Sequence, residues 1–414
     1  MIPVGAAPSG STIESAPTSP LRWRVTGALL VVTLINWLDR SAMSLALPRI
    51  ARERGWTIEE IGANGAKLIS GFFLSYGLAS ILLSPIAERF GPRRALALSV
   101  VAFSLFTALN APFGSTVSAL VALRLLLGIA ESVHFPMAGA IVSRWFPLTE
   151  RSRANGMWLF GPQLAIIAGP FLMVPLIEHF GWRPMFLMLG AVGLVVGLPV
   201  LLRYVHDDGP LSRTPLGQSQ VPLIAVFRQP DYWLALIAGS LSNVIVYGLV
   251  TWLPTYLMDG RHVAFANLAG PTSAPYWLGV LGIPFWAVAG DATGKRTLFA
   301  SIGCGIAAVA TYVGAHAASL TVTIVLLSAA IFFQKAYQTS EYALVQRILP
   351  PERVGAATGL YNGLAVIVGG AGGTWLVGKV VEITRSYEAG LMVVVVAGLA
   401  NVVVLGILAA RIRY

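Results

Sequence analysis

Long apolar stretches of about twenty residues alternate along the chain with short segments that carry Gly, Pro and charged residues. An α-helix needs about 20 mainly apolar residues to cross the hydrocarbon core of a bilayer. The pattern therefore predicts twelve membrane-spanning helices, over residues 24–47, 64–87, 94–112, 116–143, 154–178, 183–203, 231–258, 274–290, 297–316, 319–345, 354–381 and 388–411. A barrel is excluded, because its strands would be short and would alternate between apolar and polar residues.

Polar segments divide these helices into two sets of six. Residues 1–21 are rich in Ser, Pro and Ala and contain no apolar stretch, which predicts a disordered cytoplasmic tail rather than a signal peptide. A second polar stretch, with Ser, Gln and Pro, predicts a cytoplasmic linker over 204–230. The expected domains are an N-terminal six-helix bundle over 22–203 and a C-terminal six-helix bundle over 231–414.

Internal repetition supports this division. The loop after the second helix contains an acid, a glycine and basic residues, and the loop after the eighth helix repeats them 203 residues later. The loops after the fourth and tenth helices share an acid, a base and an alanine at an offset of 202. Duplicated six-helix halves are typical of transporters, which bind substrate between the halves. The predicted gating residues of these loops are Glu88, Arg89, Arg93, Arg151, Asp291 and Arg296.

Composition agrees with an integral membrane protein. Hydrophobic residues make up 56% of the chain and charged residues 11%, against roughly a quarter charged in soluble domains. A soluble enzyme is therefore excluded. The lone Cys304 leaves no internal disulfide and no thiolate metal site. The chain also lacks a Walker A sequence, a nucleophile elbow and an HExxH motif, so we expect no enzyme activity, no ATP, no metal and no other cofactor.

The distribution of positive charge predicts the orientation. Of the 28 Lys and Arg residues, 17 lie on the side that holds both chain ends and 7 lie in the loops of the opposite side. Cytoplasmic loops carry an excess of Lys and Arg, so both termini are predicted to be cytoplasmic. We expect a multi-pass protein of the cell (inner) membrane, monomeric, with no nucleic-acid partner.

Ionisable residues inside the spans are the first candidates for function, because each costs at least ~2.5 to 3.5 kcal/mol at mid-bilayer. The first helix carries Asn36, Asp39 and Arg40 on one face, and the fourth carries Arg124 and Glu131 seven residues apart. A buried structural ion-pair network is one interpretation. A ligand site explains the cost better, since a buried ion pair has no clear advantage over apolar packing.

These residue types suit an acidic substrate. Two arginines on facing helices can hold a carboxylate or phosphate with paired hydrogen bonds. Nearby carboxyl groups can gain and lose a proton as their solvation and their arginine neighbours change. The pattern predicts proton-coupled transport of a small organic anion, with Arg40 and Arg124 as the substrate clamp and Asp39 and Glu131 as the coupling acids.

The second half carries fewer charges. The tenth helix contains Lys335 and Glu341, which are possible additional cavity charges. Lys335 is either a second contact for the anion or simply the ion-pair partner of Glu341. Its residues Gln334, Tyr337, Gln338 and Glu341 form one polar stripe that we expect to face the cavity. Further candidate substrate contacts, each of which could instead join two helices, are Tyr76, Gln163, Asn243, Tyr247, Gln338, Tyr361 and Asn362.

Four stretches form a distinctive set: Asn36-Trp37-Leu38-Asp39-Arg40, the run from Arg124 to Glu131 that continues to Phe135-Pro136, Trp145-Phe146-Pro147 followed by Glu150-Arg151, and Gly181-Trp182-Arg183. Together they resemble the anion:cation symporter branch of the major facilitator superfamily. The resemblance covers the chain from about Arg22 to Arg413 and is strongest in the N-terminal half. It implies the major facilitator fold, an all-α membrane protein of two pseudo-symmetric six-helix bundles.

The resemblance also implies residue roles. In that branch the acids of the first and fourth helices couple protons and the two arginines hold the substrate carboxylate, which places these roles on the same four residues. Tyr76, Gln163 and Asn362 resemble further contacts of bacterial sugar-acid members. The C-terminal half departs from the branch at Lys335 and Glu341 and at Val366, where a second asparagine is usual, and the loop after the second helix has Ser84 in place of a glycine.

We therefore expect secondary active uptake of a small organic anion, such as a sugar acid, in symport with protons and by alternating access. The substrate, protons and the bilayer are the expected partners. Export of an anionic metabolite or siderophore and coupling to sodium remain alternatives within transport. A transporter-like sensor is a further alternative from a different class.

Overall fold

The computed structural model describes residues 21–209, 227–348 and 354–411. The predicted tail therefore lies outside the described residues except for its last position, and so do residues 210–226 of the predicted linker. Throughout the described ranges the regular structure is helical and contains no strand. This agrees with a bilayer protein, in which each helix satisfies its own backbone hydrogen bonds.

The α-helices are α1 (Leu21–Arg54), α2 (Ile58–Phe90), α3 (Pro92–Phe113), α4 (Val117–Glu131), α5 (His134–Trp145), α6 (Leu148–Phe180), α7 (Trp182–Val192), α8 (Leu198–Tyr204), α9 (Pro230–Thr255), α10 (Ala269–Thr293), α11 (Arg296–His316), α12 (Leu320–Ile348), α13 (Val354–Ala365), α14 (Gly373–Thr384) and α15 (Tyr387–Arg411). Short π-helical segments continue three spans, at Gly193–Gly197, Tyr256–Gly260 and Val366–Gly372.

These helices combine into the predicted spans. Eleven stretches of the described chain are long and apolar enough to cross a bilayer. The remaining predicted segment, 274–290, forms α10, whose 25 residues include Pro, Gly, Trp and Tyr that lower its hydropathy. The predicted fold class is confirmed, whereas the cytoplasmic location of the termini and the exact domain limits stay predictions.

Several helices extend beyond their predicted limits, and two spans show the physical reason for a difference. The fourth, predicted as one helix over 116–143, is broken between α4 and α5. Ser132 donates its side-chain hydroxyl to the Ile129 carbonyl at 2.7 Å, a local bond that competes with the helical pattern. The second span begins earlier than its apolar stretch, because Thr57 and Glu60 form a capping box at its start.

The two halves of the molecule, defined as α1–α8 and α9–α15, meet at the end where α2 begins. We call this the distal end, and the end where α1 begins the basic end. A Cβ added to Gly62 on α2 would lie 2.7 Å from the Gly378 carbonyl oxygen on α14, so these backbones are in direct contact. An ion pair at 2.9 Å joins Arg385 to Glu59 across the halves. The distal end is therefore closed.

The basic end is organised differently. Its ion pairs in the described ranges stay within one half, as between Arg22 and Glu150 at 2.9 Å and between Arg411 and Asp231 at 2.6 Å. Asp207 likewise accepts from the Arg93 backbone N–H and from Arg144 in the same half. The described ion pairs of this end therefore brace each half separately and do not hold the halves together.

Candidate functional site

The four ionisable residues of the first and fourth spans lie together in the interior of the first half. Asp39 and Glu131 are 0% exposed, Arg124 is 2% exposed and Arg40 is 6% exposed. Asp39 and Arg40 share one face of α1, and α4 places Arg124 and Glu131 opposite them. The sequence spacing thus identified residues that the fold buries in one polar cluster.

Arg40 and Glu131 form the central ion pair of this cluster. The Nε and Nη2 atoms of Arg40 donate to Oε2 of Glu131 at 3.2 and 3.0 Å. The guanidinium carbon of Arg40 also lies 4.6 Å from the ring centroid of Tyr76 and 4.7 Å from that of Trp37. Aromatic faces attract a cation, so this arginine is held by a carboxylate and by aromatic rings.

Arg124 is held less completely. Its Nε donates to the Leu68 carbonyl on α2 at 3.3 Å, while its Nη1 is buried without a hydrogen-bond partner in the described structure. The ring of Phe72 lies 4.7 Å from the Arg124 guanidinium and 5.1 Å from that of Arg40. One aromatic ring therefore contacts both arginines, and Arg124 keeps a donor available for an anionic ligand.

Asp39 is the least restrained member of the cluster. Both of its carboxylate oxygens are buried and neither has a hydrogen-bond partner among the described residues. The charges of Glu131 and Arg124 are close enough to interact with it, and the Thr107 hydroxyl on α3 lies nearby. A buried carboxyl group without hydrogen bonds is rare in folded proteins and marks a functional candidate.

A close contact between α2 and α4 fixes the position of these groups. A Cβ added to Gly128 on α4 would collide with the Phe72 carbonyl oxygen and with the Ser75 side chain. Phe72 and Tyr76, which contact the arginines, lie on this same stretch of α2. The glycine therefore allows the aromatic side chains of α2 to reach Arg40 and Arg124.

In the second half, Lys335 does not pair with Glu341. The Lys335 ammonium donates to Gln338 Oε1 at 2.6 Å and to Gln163 Oε1, on α6 of the first half, at 3.5 Å. Glu341 instead accepts a hydrogen bond from the Tyr361 hydroxyl at 2.8 Å. Of the two sequence interpretations, the ion pair is thus not what the structure shows.

The predicted polar stripe of α12 is only partly directed toward the space between the halves. Gln334 is buried and donates to the Ser242 hydroxyl on α9 at 3.0 Å, so it joins two helices. Tyr337 is also buried, and its hydroxyl lies 3.1 Å from that of Tyr361. Gln338 and Glu341 are half-buried. The expectation that the whole stripe faces the cavity is therefore wrong for the first two residues, because i, i+3 spacing cannot separate a cavity face from a helix contact.

Among the predicted contacts of the second half, Tyr247 reaches the arginines. The Tyr247 ring on α9 packs on Phe73 of α2 with ring centroids 4.3 Å apart, and its hydroxyl interacts with Arg40. Glycines of the π-helical segment Val366–Gly372 pack against Tyr247 and Asn243. Gln163, Asn243, Tyr247 and Asn362 are half-buried, whereas Tyr76 and Tyr361 are buried.

The predicted gating residues do not meet across the halves in the described structure. Arg93 donates to the Leu202 carbonyl at 2.7 Å, and Arg151 donates to the Ser143 carbonyl at 2.8 Å, both within the first half. Asp291 and Arg296 pair with each other. Glu88 and Arg89, the remaining two, are exposed.

Sequence reasoning missed several residues of the site. Phe72 and Thr107 lie on apolar stretches where nothing distinguishes them from lipid-facing or core residues. His134, whose ring nitrogen Nε2 lies 2.9 Å from the Thr33 hydroxyl, was also missed. Its polar character next to the break in the fourth span was the available signal. Within the described ranges no group of three or more His, Cys, Asp or Glu residues is placed to hold a metal ion.

Comparison with known proteins gives a consistent picture. The sequence profile of the Major Facilitator Superfamily matches residues 29–374. The chain is 24% identical over 408 residues to a "Probable L-galactonate transporter" of Escherichia coli K12, covering 93% of this chain and 89% of that protein. It is 27% identical over 398 residues to a "Probable sulfoacetate transporter" of Cupriavidus necator, covering 90% of each.

Solved structures agree on the fold. A bacterial homologue of the human lysosomal transporter Spinster, in an inward-facing and unoccupied conformation, superimposes with a TM-score of 0.75 at 18% identity. The match covers 95% of this chain and 96% of that one. The curated relatives, named as transporters of acids, confirm the resemblance that the motifs of the N-terminal half predicted.

Proposed function

We propose, from the premise that this chain belongs to the Major Facilitator Superfamily and is a transporter rather than an enzyme, that it takes up a small organic anion in symport with protons. The single observation that carries this proposal is the buried cluster of two arginines and two carboxyl groups. A sugar acid or a related carboxylate is the substrate class that such a cluster fits best. We expect the transporter to act as a monomer in the inner cell membrane, without a cofactor.

The arginines supply the anion site. Arg124 has a buried Nη1 without a partner, and a guanidinium can hold a carboxylate through parallel hydrogen bonds. Arg40 is within reach of the second half through Tyr247. A carboxylate bound to both arginines would therefore lie where the two halves meet, which is where alternating-access transporters bind their substrates.

The carboxyl groups supply the coupling. Glu131 occupies two donors of Arg40, so a substrate carboxylate and an ionised Glu131 compete for the same guanidinium. A proton on Glu131 removes its charge and frees Arg40 for the substrate, and loss of that proton restores the ion pair and expels the substrate. Asp39, which has no hydrogen bond to hold its charge, is the second site for a transported proton.

The closed distal end and the separately braced basic end support transport by alternating access, in which this structure would be one state of the cycle. If the termini are cytoplasmic, as the charge distribution predicts, this state opens toward the cytoplasm. The counterpart open to the other side would require the Arg385–Glu59 pair to break and α2 to separate from α14. The names of the relatives include an acid with one carboxylate and an acid with both a carboxylate and a sulfonate, so similarity leaves the number of acidic groups open.

Transport into proteoliposomes tests the coupling. An inward-directed proton gradient should drive accumulation of a labelled sugar acid by the wild type, and an equal sodium gradient should not. Glu131→Gln and Asp39→Asn should abolish accumulation but retain exchange of labelled for unlabelled substrate, because exchange does not require a complete proton cycle. Lys67→Gln, at an exposed lysine of α2, is the matched control and should behave as the wild type.

Three results would contradict the proposal. Gradient-driven accumulation in both acid-to-amide variants would remove Asp39 and Glu131 from the coupling. Accumulation that follows sodium but not protons would establish the sodium-coupled alternative. Net efflux under the same gradient would instead favour the exporter.

A further inference from the structure

Lys335 on α12 is a buried cation that the described structure does not neutralise. It is 6% exposed, and its ammonium donates to two amide oxygens, those of Gln338 and Gln163. No carboxylate in the described ranges forms an ion pair with it. Glu341, on the same helix, accepts from Tyr361 instead. Amide oxygens orient an ammonium group but do not cancel its charge, so the cost of burying that charge remains.

The cluster in the first half is balanced by comparison. It contains two cations and two acids, and Arg40 already contacts Glu131. Arg124 forms no ion pair either, but it lies beside Asp39 in this cluster, whereas the hydrogen-bond partners of the Lys335 ammonium in the described structure are both amides. Since buried charges in spans are retained where they bind or move charged species, the missing partner is expected to be a negative group of the ligand.

The surroundings of Lys335 direct its ammonium toward the other half. On α10, Cβ atoms added to Gly279 and Gly282 would each lie 3.3 Å from the Lys335 side chain, so these glycines leave room for its stem. Its ammonium reaches Gln163 on α6. Gln163 and Gln338 are both half-buried, which places the ammonium at the edge of the space between the halves.

Helix packing gives the depth of this position relative to Arg40. α6 runs alongside α1, with Gly161 against the backbone of Leu30 and Leu34 and Gly169 against Leu38. Gln163, near the start of that interval, therefore lies beside the part of α1 that is about five residues before Arg40. With a rise of 1.5 Å per residue, the backbones of Gln163 and Arg40 differ in depth by roughly 6 to 9 Å, and the Lys335 ammonium lies within hydrogen-bond reach of Gln163.

We propose that Lys335 binds a second acidic group of the substrate, so that the transported anion is a small diacid held by Arg40 and Arg124 at one end and by Lys335 at the other. The inference rests on the proposed function and deepens it. The compact ammonium group of Lys335 can bind either a carboxylate or a sulfonate, because it acts as a point charge. A diacid of this kind joins the first half to the second and thereby favours closure of the halves around it.

Matched pairs of ligands that differ by one acidic group test this. The pairs are D-gluconate with D-glucarate, butanoate with succinate, and acetate with sulfoacetate. Binding to the purified full chain is measured by titration calorimetry and by thermal shift. In each pair that binds, the diacid should bind the wild type about tenfold or more tightly than the monoacid, since a charge-assisted hydrogen bond contributes about 1.5 to 3 kcal/mol.

Substitutions at Lys335 test whether this residue causes the preference for the diacid. Lys335→Gln should bind the two members of a pair within about threefold of each other, which is less than 1 kcal/mol. Lys335→Arg, which retains the positive charge, should keep the preference for the diacid. Lys67→Gln should keep the wild-type ratio.

Equal affinity of the wild type for monoacid and diacid would overturn the inference, and so would an unchanged preference in Lys335→Gln. Even if Lys335→Gln does not fold, equal affinity of the wild type for the two acids overturns the inference, and a preference for the diacid supports it. Failure of the proposed function looks different, because then no acid of any pair binds and Arg124→Ala has no effect. If monoacids bind through Arg124 as well as diacids do, only the role of Lys335 is lost.

Discussion

The two halves of this transporter bury charge in different ways. In the first half, Arg40 contacts Glu131, and Asp39 and Arg124 lie beside them in the same cluster. In the second half, Lys335 and Glu341 are on one helix and yet have separate, uncharged partners, two glutamines and a tyrosine. Charges in the first half therefore respond to each other, whereas those in the second half are independent.

This difference indicates a division of labour. A set of mutually dependent cations and acids can exchange an internal partner for a substrate or a proton, which is what coupling requires. A cation with neutral partners can only add an attraction for a negative group. We therefore expect the first half to determine whether an acid binds and is coupled to protons, and the second half to determine which acid is preferred.

The largest effect is expected at Arg124. Arg124→Ala should weaken binding of the best monoacid about 30-fold or more, because removing one member of a buried charged contact costs about 2 to 5 kcal/mol. Lys335→Gln should change the affinity for the same monoacid by less than about threefold. Calorimetry on both variants checks this contrast. Comparable losses of monoacid affinity in Arg124→Ala and Lys335→Gln would show that the two halves do not have these separate roles.

A smaller effect is expected from double-mutant cycles on stability. Arg40→Gln and Glu131→Gln should each lower the melting temperature in detergent. The double variant should lose less stability than the sum of the two single losses, with a coupling free energy of about 1 to 3 kcal/mol. The losses of stability caused by Lys335→Gln and by Glu341→Gln should be additive to within about 0.5 kcal/mol, because these side chains do not contact each other. Strong coupling in the second cycle would contradict their independence.

The smallest effect concerns the packing that positions the cluster. Gly128→Ala should lower the melting temperature and weaken acid binding, because its methyl group collides with α2 next to Phe72 and overpacking costs about 1 to 3 kcal/mol. Gly139→Ala is the matched control on α5, where a Cβ meets nothing within 4 Å. There alanine should stabilise the helix by about 0.5 to 1 kcal/mol. Equal melting temperatures and equal acid affinities of the two variants would mean that the contact of α2 with α4 does not position the binding residues.

Much of the site could be read from the sequence because charge inside an apolar span is conspicuous. Asp39, Arg40, Arg124 and Glu131 were identified by depth and helical spacing before any packing was known. Phe72 gave no such signal, since an aromatic residue in an apolar helix is ordinary. Its contact with both arginines depends on how closely α2 approaches α4, which is a property of two helices far apart in the chain.

The sequence by itself determined the class of protein, because long apolar stretches and scarce charge leave only a helical bundle in lipid. It also determined the residues that carry the functional hypothesis, because their burial cost is intrinsic to their type. Only the tertiary structure decided their partners. Spacing on one helix suggested an ion pair of Lys335 with Glu341. In the structure Lys335 instead donates to Gln338 on the same helix and to Gln163 on α6, and Glu341 accepts from Tyr361 on α13, since the contacts between helices depend on positions that helix packing sets.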